Sequence, residues 1–501
     1  MVDVLLTHSY HLPYDRKQVR KIQPYPPLGT LYAASVLRSR GISAAVFDTM
    51  LQDPAGFPEL LERHQPRFVA IYEDDFNFLS KMCLTRMREV AWQMTEAARC
   101  FGATVIVHGS DASDHADEYL RHGANYVLLG EAETTLSELC AASLGSGDTS
   151  AIPGLVSLDS AGSVELRNQK AAKPTPWHCL PNPARDLIDM GPYREAWKAS
   201  HGFFSLNLVA SRGCPYQCNW CAKPISGDRF HVRPPDAVAN EILELKNVYG
   251  AEHLWFGDDI FALGHRWTQQ FASEMEKRQC ALPFKIQARA DLMTLETVSA
   301  LKRAGCAEVW MGVESGSQRV LDAMDKGLRI DEVVAARERL EAAGIRACYF
   351  LQFGYPGESW REIQQTVSLV RATRPDDIGV SVSYPLPNTR FYEKVRAELG
   401  PKRNWTDSDD LCVMFKAAYT DEFYRALRDC LHAEVDSWHT ARTAGHELDH
   451  VAGLWRRVVE LEPLTRNADA TSFSFVDARP IKTAEPQFVP LQHLSHAARE
   501  V

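Results

Sequence analysis

Two long stretches of this chain alternate short apolar runs with helical segments, and that alternation constrains the fold more than any other feature. In residues 1–142 the runs are Val2–Leu6, Ala44–Phe47, Phe68–Tyr72, Thr104–Val107 and Tyr126–Leu129. Each is too short for a helix and rich in Val, Ile, Phe or Tyr, as buried strands are. Helical patterns fill the intervals at Leu28–Arg40, Phe57–His64, Ser80–Phe101, Asp114–Arg121 and Glu133–Cys140, with Gly41 and Gly102 at C-cap positions. Such βα units specify an open, doubly wound (Rossmann-like) parallel sheet, whose ligands sit beyond the carboxyl ends of its strands. Residues 205–398 repeat the pattern, with strands expected at Leu206–Ala210, His253–Phe256, Phe284–Ala288, Glu308–Val313, Ala347–Phe353 and Ile378–Val382. This second series fits a full or partial (β/α) barrel with its chemistry in the loops after the strands. Residues 143–204 read as a linker with a small hairpin, Leu155–Leu158 and Val164–Leu166, and a Pro-rich run from Lys173 to Pro183. Residues 399–501 read as a helical C-terminal region, helical over about 411–465, ending in an irregular tail.

Composition narrows the setting. Of 501 residues, 45% are hydrophobic and 24% charged, which excludes disorder as the main state. The net charge of −10 is opposite in sign to that of a typical nucleic-acid binder. No apolar run approaches the ~18 residues of a membrane span, and no basic region followed by an apolar stretch opens the chain. Twelve cysteines are too few for a disulfide scaffold, so a reducing, cytoplasmic location is expected. There, clustered cysteines signal metal or redox chemistry.

One such cluster exists. Ser211-Arg212-Gly213-Cys214-Pro215-Tyr216-Gln217-Cys218-Asn219-Trp220-Cys221 follows the first strand of the barrel series. Thiolates this closely spaced let one loop wrap a compact inorganic core. Three ligands leave one iron of a 4Fe–4S cluster free for a substrate or cofactor. A structural zinc site is closed by a fourth nearby ligand, and the nearest candidate, His231, lies beyond Cys221 by ten residues. The other cysteines (83, 100, 140, 179, 280, 306, 348, 412, 430) are scattered and read as small buried apolar residues.

Cys214-x3-Cys218-x2-Cys221, with an aromatic just before the third cysteine, resembles the radical S-adenosylmethionine superfamily motif. The resemblance covers roughly residues 200–395. It implies that the three cysteines hold a 4Fe–4S cluster whose free iron binds S-adenosylmethionine. Cleavage of that molecule by one electron, from a donor such as flavodoxin or ferredoxin, then yields a 5′-deoxyadenosyl radical. Later strand ends fit the same pattern: Gly257-Asp258-Asp259, Arg289 with Asp291, Gly312-Val313-Glu314-Ser315, Gly354-Tyr355-Pro356-Gly357-Glu358 and Tyr384-Pro385-Leu386-Pro387-Asn388-Thr389. By this resemblance Asp258, Asp259, Arg289, Glu314, Ser315, Gly354 and Pro356 bind S-adenosylmethionine, whereas Glu358 is equally readable as a helix cap.

An open α/β sheet followed by such a barrel looks like the cobalamin-dependent (class B) members of the superfamily. Pro26-Pro27-Leu28-Gly29-Thr30-Leu31-Tyr32 and Gly130-Glu131-Ala132-Glu133 add to that likeness. The cobalt-ligating string Asp-x-His-x-x-Gly is missing; His115 directly follows Asp114, and His8 stands after the first strand without an acid partner in its segment. The resemblance implies cobalamin as a second cofactor, with Tyr72, Glu73, Gly130 and Glu131 beside it; a sheet kept only for packing is the alternative. Tyr72-Glu73-Asp74-Asp75-Phe76-Asn77-Phe78 either lines a corrin or caps the helix starting near Ser80.

The expected activity is methylation of an unactivated carbon in a small or hydrophobic metabolite. Radical cyclisation, oxidation or ring rearrangement is the alternative within the class. A non-catalytic corrinoid or iron–sulfur protein would leave the barrel motifs idle. His446-Glu447-Leu448-Asp449-His450 matches a zinc-hydrolase string but sits beside a polar stretch without a third ligand, and reads as a solvated helix end. Met82, Met87 and Met94 recur with Val90 on one helical face and read as core.

Overall fold

The computed structural model describes residues 1–82, 84–145, 147–166, 176–177, 180–440 and 446–470. Two parallel sheets organise them. The first contains β1 (Val4–Thr7), β2 (Ala44–Phe47), β3 (Phe68–Tyr72), β4 (Thr104–His108), β5 (Tyr126–Leu128), β6 (Leu155–Leu158) and β7 (Val164–Leu166), in the order β2-β1-β3-β4-β5-β6-β7. β1 to β5 pair in parallel, as a doubly wound sheet does, while β6 and β7 add antiparallel at one edge. The hairpin therefore extends this sheet instead of standing apart in a linker.

Side-chain alternation along the strands divides the core. Leu5, Val69, Ile71, Val105 and Val107 meet Phe57, Leu61, Val90 and Met94 on one face. Val4, Leu6, Phe68, Ala70 and Ile106 meet Ala33, Leu37, Leu136 and Leu139 on the other. Both faces are covered, which is why these strands read as nearly continuous apolar runs.

The second sheet begins with β8 (Ser205–Leu208). Next come a short antiparallel pair, β9 (Ser211–Arg212) with β10 (His231–Val232), then β11 (His253–Phe256), β12 (Phe284–Ala288), β13 (Cys306–Glu314), β14 (Arg346–Phe353) and β15 (Asp377–Val382). Its order is β15-β14-β13-β12-β11-β8, all parallel, with β8 and β15 as edges: a partial barrel. Phe284, Ile286 and Ala288 of β12 are buried outward in the core, while the intervening Lys285 and Gln287 line a cavity inside the curve. A closed barrel of this kind is filled by branched apolar side chains. Here the lumen stays open, walled mainly by aromatic and apolar side chains with a few charged and amide groups among them.

Helices follow the strands, and two long ones, Asp421–Thr440 and His446–Leu464, form the C-terminal region. Residues 411–420, expected to be helical, are irregular. Trp405 of this region is buried and stacks on Tyr384 at 4.5 Å, so a loop beyond the barrel closes over its edge. The expected tail past residue 470, residues 173–175 and 178–179 of the Pro-rich run, and the side chains of His446 to Asp449 lie outside the described residues. No helix among the described residues is long and apolar enough to cross a membrane.

Candidate active site

The β9–β10 pair closes residues 213–230 into a loop that carries all three cysteines of the motif. Gly213 opens the loop at φ +80°, and a Cβ there would stand 2.1 Å from the Arg229 carbonyl oxygen, so only glycine fits. Inside the loop, the Lys223 ammonium donates to the carbonyls of Cys214 (3.0 Å) and Tyr216 (2.7 Å). Asn219 donates to the carbonyl of Ala323 (2.7 Å) and accepts from the Tyr355 hydroxyl (3.1 Å). The guanidinium of Arg289 lies 3.9 Å over the Tyr216 ring.

Cys214, Cys218 and Cys221 are unbonded and half-buried. Burial pushes the Cys214 thiol up, and Cys221 up to about 12. Thiolates held there need a cationic core. Among the described residues no three His, Cys, Asp or Glu side chains converge as a single metal ion requires. A cluster asks less, because each of its irons takes one thiol. The donor set thus fits a 4Fe–4S cluster bound through three irons.

The other positions singled out in the barrel separate into two groups. Asp259 accepts from the Gly213 amide (3.1 Å) and pairs with Lys81 from the first sheet's side. Glu314, at φ +63°, faces the lumen and meets Lys326 at 2.8 Å. Both keep a cavity-facing position despite these bonds: Asp259 lines a small cleft beside the cysteine loop and Glu314 lines the lumen. Asp258, Arg289, Ser315 and Gly354 are committed to the protein itself. Asp258 accepts from the Ala210 amide (3.0 Å) and the Ser211 hydroxyl (2.5 Å), and burial pushes its carboxyl up to about 7 against those bonds. Arg289 binds Asp291 (2.9 Å) and the carbonyls of Lys326 (2.8 Å) and Gly327 (3.0 Å). Ser315 turns inward to Thr366 (3.2 Å). Gly354 donates to Glu358 (2.6 Å), so Glu358 caps the turn through Pro356, and burial pushes its carboxyl up to about 8.

At the carboxyl edge of the first sheet, Tyr72 is buried and stacks on His108 at 4.1 Å, and the Gly130 carbonyl meets His108 Nε2 at 2.8 Å. Burial drives His108 down to about 4, so its ring is neutral. Glu73 accepts from the Ser9 amide (3.0 Å). Asp74 accepts from the Gly29 amide (2.9 Å), capping the helix Leu28–Ser39, and Asn77 caps Phe78–Lys81. The 72–78 segment therefore divides its residues between capping and the sheet edge. One oxygen each of Glu73, Asp75, Glu131 and Glu133 is buried without a hydrogen-bond partner. Cobalamin carries a periphery of primary amides, which donate, so these acceptors fit it.

Sequence reasoning missed the residues that join the halves. Arg212, directly before Gly213, pairs with Glu133 and lies 3.7 Å from Glu131. Its guanidinium sits 4.9 Å over Phe76 and 4.8 Å over Trp177. Burial opposes the charge of Glu133, but Arg212 prevails and holds its carboxyl low. Lys81 makes the second tie, to Asp259. The signal available was an arginine adjoining the cysteine loop and two glutamates in the strand-end segment 130–133. His8 was read as lacking an acid, yet Asp48 from the next strand meets its Nε2 at 2.9 Å and Tyr193 meets Asp48 at 2.6 Å. Burial alone would lower the His8 pKa; the Asp48 bond outweighs it and raises it. Thr49 Oγ1 lies 3.3 Å from Nδ1, so both ring nitrogens are engaged.

Of the remaining cysteines, 140, 280, 306, 348 and 430 are buried as expected. Cys100 is exposed at a helix end and Cys412 half-buried, while Cys83 and Cys179 lie outside the described residues. Met87 and Met94 belong to the core, but Met82 faces the lumen.

That lumen is a cavity of about 670 Å³ reaching from first-sheet loops at Tyr10, Met50 and Phe78 through the barrel to its amino-terminal floor. Trp220 of the cysteine loop lines it. Cys218 and Cys221 line a second cleft of about 480 Å³ on the loop's other side.

Residues 208–370 match the radical SAM superfamily. That segment is a radical SAM domain. An uncharacterized methyltransferase of Pyrococcus horikoshii is 24% identical over 377 residues, 74% of this chain and 78% of the relative. The hopanoid C-3 methylase of Methylococcus capsulatus is 22% identical over 485 residues, 93% of this chain and 89% of the relative. Among solved structures, the radical S-adenosylmethionine methyltransferase TsrM from Kitasatospora setae, with cobalamin and a [4Fe-4S] cluster bound, superposes with a TM-score of 0.65. It is 18% identical, and the match covers 78% of this chain and 77% of that one; the likeness establishes the fold.

Proposed function

We propose that this radical SAM enzyme is a cobalamin-dependent C-methyltransferase acting on a small or hydrophobic metabolite. One observation carries the reading: the three-thiol loop at the carboxyl end of a partial barrel is pinned by Arg212 to glutamates at the carboxyl edge of a second, doubly wound sheet, and each of these glutamates keeps one oxygen without a hydrogen-bond partner. When bound, the cluster with S-adenosylmethionine supplies a hydrogen-abstracting radical and cobalamin a methyl group. The chain supplies position and dryness. Cys214, Cys218 and Cys221 hold the cluster; Asp259 and Glu314 face S-adenosylmethionine; Glu73, Asp75, Glu131 and Glu133 accept from corrin amides. Arg289 and Tyr355 act indirectly, by fixing Tyr216 and Asn219 of the loop. The lumen's aromatic walls keep water from the reacting carbon. An electron donor such as a flavodoxin or ferredoxin reaches the cluster from the cleft lined by Cys218 and Cys221. A reduced, thiol-held cluster suits the cytoplasm.

The names of the relatives in Pyrococcus and Methylococcus support methyl transfer over cyclisation or rearrangement. The test is anaerobic reconstitution with iron, sulfide and cobalamin. Label from the S-adenosylmethionine methyl group should then appear on a carbon of a metabolite from host extract, read by mass spectrometry. Deoxyadenosine with an unlabelled, rearranged or oxidised product would sink the methyltransferase reading.

A further inference from the structure

The lumen's two ends differ. Arg289 marks the rim of β12, and Lys285 lies four residues below it on the same strand. At ~3.3 Å per residue, Lys285 sits about 13 Å beneath the rim. Its ammonium donates to Gln23 Oε1 (3.1 Å) and lies 5.5 Å and 5.8 Å from the ring centroids of Tyr25 and Trp255. Among the described residues no carboxylate stands within ion-pairing distance of it. Of the carboxylates on the floor, Glu308 is paired with Arg346 (2.8 Å) and accepts from the Trp310 indole (2.7 Å), while Asp377 accepts from the Ile378 amide (2.7 Å). Burial pulls Lys285 down to about 8 against the opposing charge of Glu308, which leaves it mostly charged at neutral pH. A half-buried cation with no carboxylate bound to it, facing an empty volume, is costly unless something anionic completes it. Around it the walls are flat. Tyr25 and Trp255 lie 4.6 Å apart on one side, and Trp310 stacks on Phe350 at 4.8 Å on the other.

We infer that the substrate is a planar apolar molecule bearing one carboxylate, and that Lys285 binds that carboxylate at the lumen floor. The inference rests on the reading of this cavity as the substrate site of a radical enzyme, and it names the substrate's class. A molecule gripped at Lys285 and rising between aromatic walls presents its far end to the rim, where Glu314 and the cysteine loop lie. A cavity of about 670 Å³ suits one compact ligand of this kind.

The test is equilibrium binding of two matched probes, naphthylacetate and its neutral amide, to the reconstituted full chain near neutral pH, followed by tryptophan fluorescence. The acid should bind at least about tenfold more tightly than the amide, the scale of one charge-assisted hydrogen bond. Lys285→Met should bring the two probes to within about twofold, and Lys285→Arg should keep the preference. Equal binding to the parent chain, no binding of the acid at millimolar concentration, or a preference that survives Lys285→Met each overturns the inference. The parent comparison needs no variant, so a misfolded Lys285→Met does not protect the claim. The same preparations are assayed for S-adenosylmethionine cleavage. Loss of cleavage in the parent counts against the functional reading, whereas loss of acid preference with cleavage intact counts against Lys285 alone.

Discussion

Arg212→Met is the most informative single change outside the cysteines. Arg212 is only 6% exposed, lies against Glu131 and Glu133, and is roofed by the rings of Tyr32, Phe76 and Trp177. Methionine keeps most of the stem's volume and deletes the charge. It strands two glutamates that are themselves buried, at 3% and 2% exposure. Removing one partner of a buried ion pair costs about 3–5 kcal/mol, because the other charge stays desolvated. Lost cation–π contacts add roughly 0.5–1 kcal/mol each. Glu131→Gln with Glu133→Gln in the same chain removes the stranded charges, so the triple variant should recover most of the loss. The coupling in that cycle should be about 3 kcal/mol. Urea unfolding of the four proteins, followed by tryptophan emission, measures it. Iron bound per chain after reconstitution gives a second readout, since Arg212 adjoins Gly213 at the mouth of the cysteine loop. A single variant within about 1 kcal/mol of the parent, with no coupling to the glutamates, would refute the claim that this ion pair joins the two halves.

Other outcomes follow from the same geometry. Cys218→Ala should remove the brown colour of the reconstituted protein and S-adenosylmethionine cleavage together, and iron chelation of the parent should do the same; cleavage without iron would contradict the three-thiol site. Gly213→Ala should abolish cluster retention, because the new methyl meets a backbone carbonyl 2.1 Å away and the residue needs φ +80°. Full iron loading of that variant would show that the loop closes differently. Glu358 gives a pH signature. Its folded carboxyl titrates near 8 against an ordinary 4.5, so between those values the fold holds a proton that the unfolded chain has released. Stability must therefore fall as pH rises through that window. Glu358→Gln keeps an oxygen for the Gly354 amide and removes this slope. The stability difference between variant and parent should shift by about 1.4 kcal/mol per pH unit between pH 5.5 and 7.5, measured by urea unfolding. Parallel curves would contradict a buried, protonated Glu358.

Much of the molecule was legible because local signals agreed with the global arrangement. The strands of the first sheet are buried on both faces, so Phe68–Tyr72 announces itself as an apolar run, and the cysteine spacing is confined to one loop. What stayed hidden depends on chain segments far apart in sequence. His8 meets its acid, Asp48, only because β1 and β2 are neighbours in the sheet. Asp258 and Arg289 stand where the motif puts them, yet each is held by backbone groups that no motif mentions. Arg212 looked like an ordinary residue of the motif until Glu131 and Glu133 arrived from the other sheet. The hairpin 155–166 looked like part of a linker because two short strands carry no mark of the sheet they join.

The partial barrel gives this scaffold a division of labour along a single strand. One end of β12 leads into the cofactor machinery through Arg289, while the other carries Lys285, which lines the lumen beside Gln23, Tyr25 and Trp255. Exchanges among inward-facing residues at the amino ends of β12 to β15 alter what the chamber accepts without disturbing the metal-bearing loop. Catalytic apparatus and selectivity are thus separable by design of the architecture, and a laboratory seeking new substrates for this enzyme should begin its libraries at the floor.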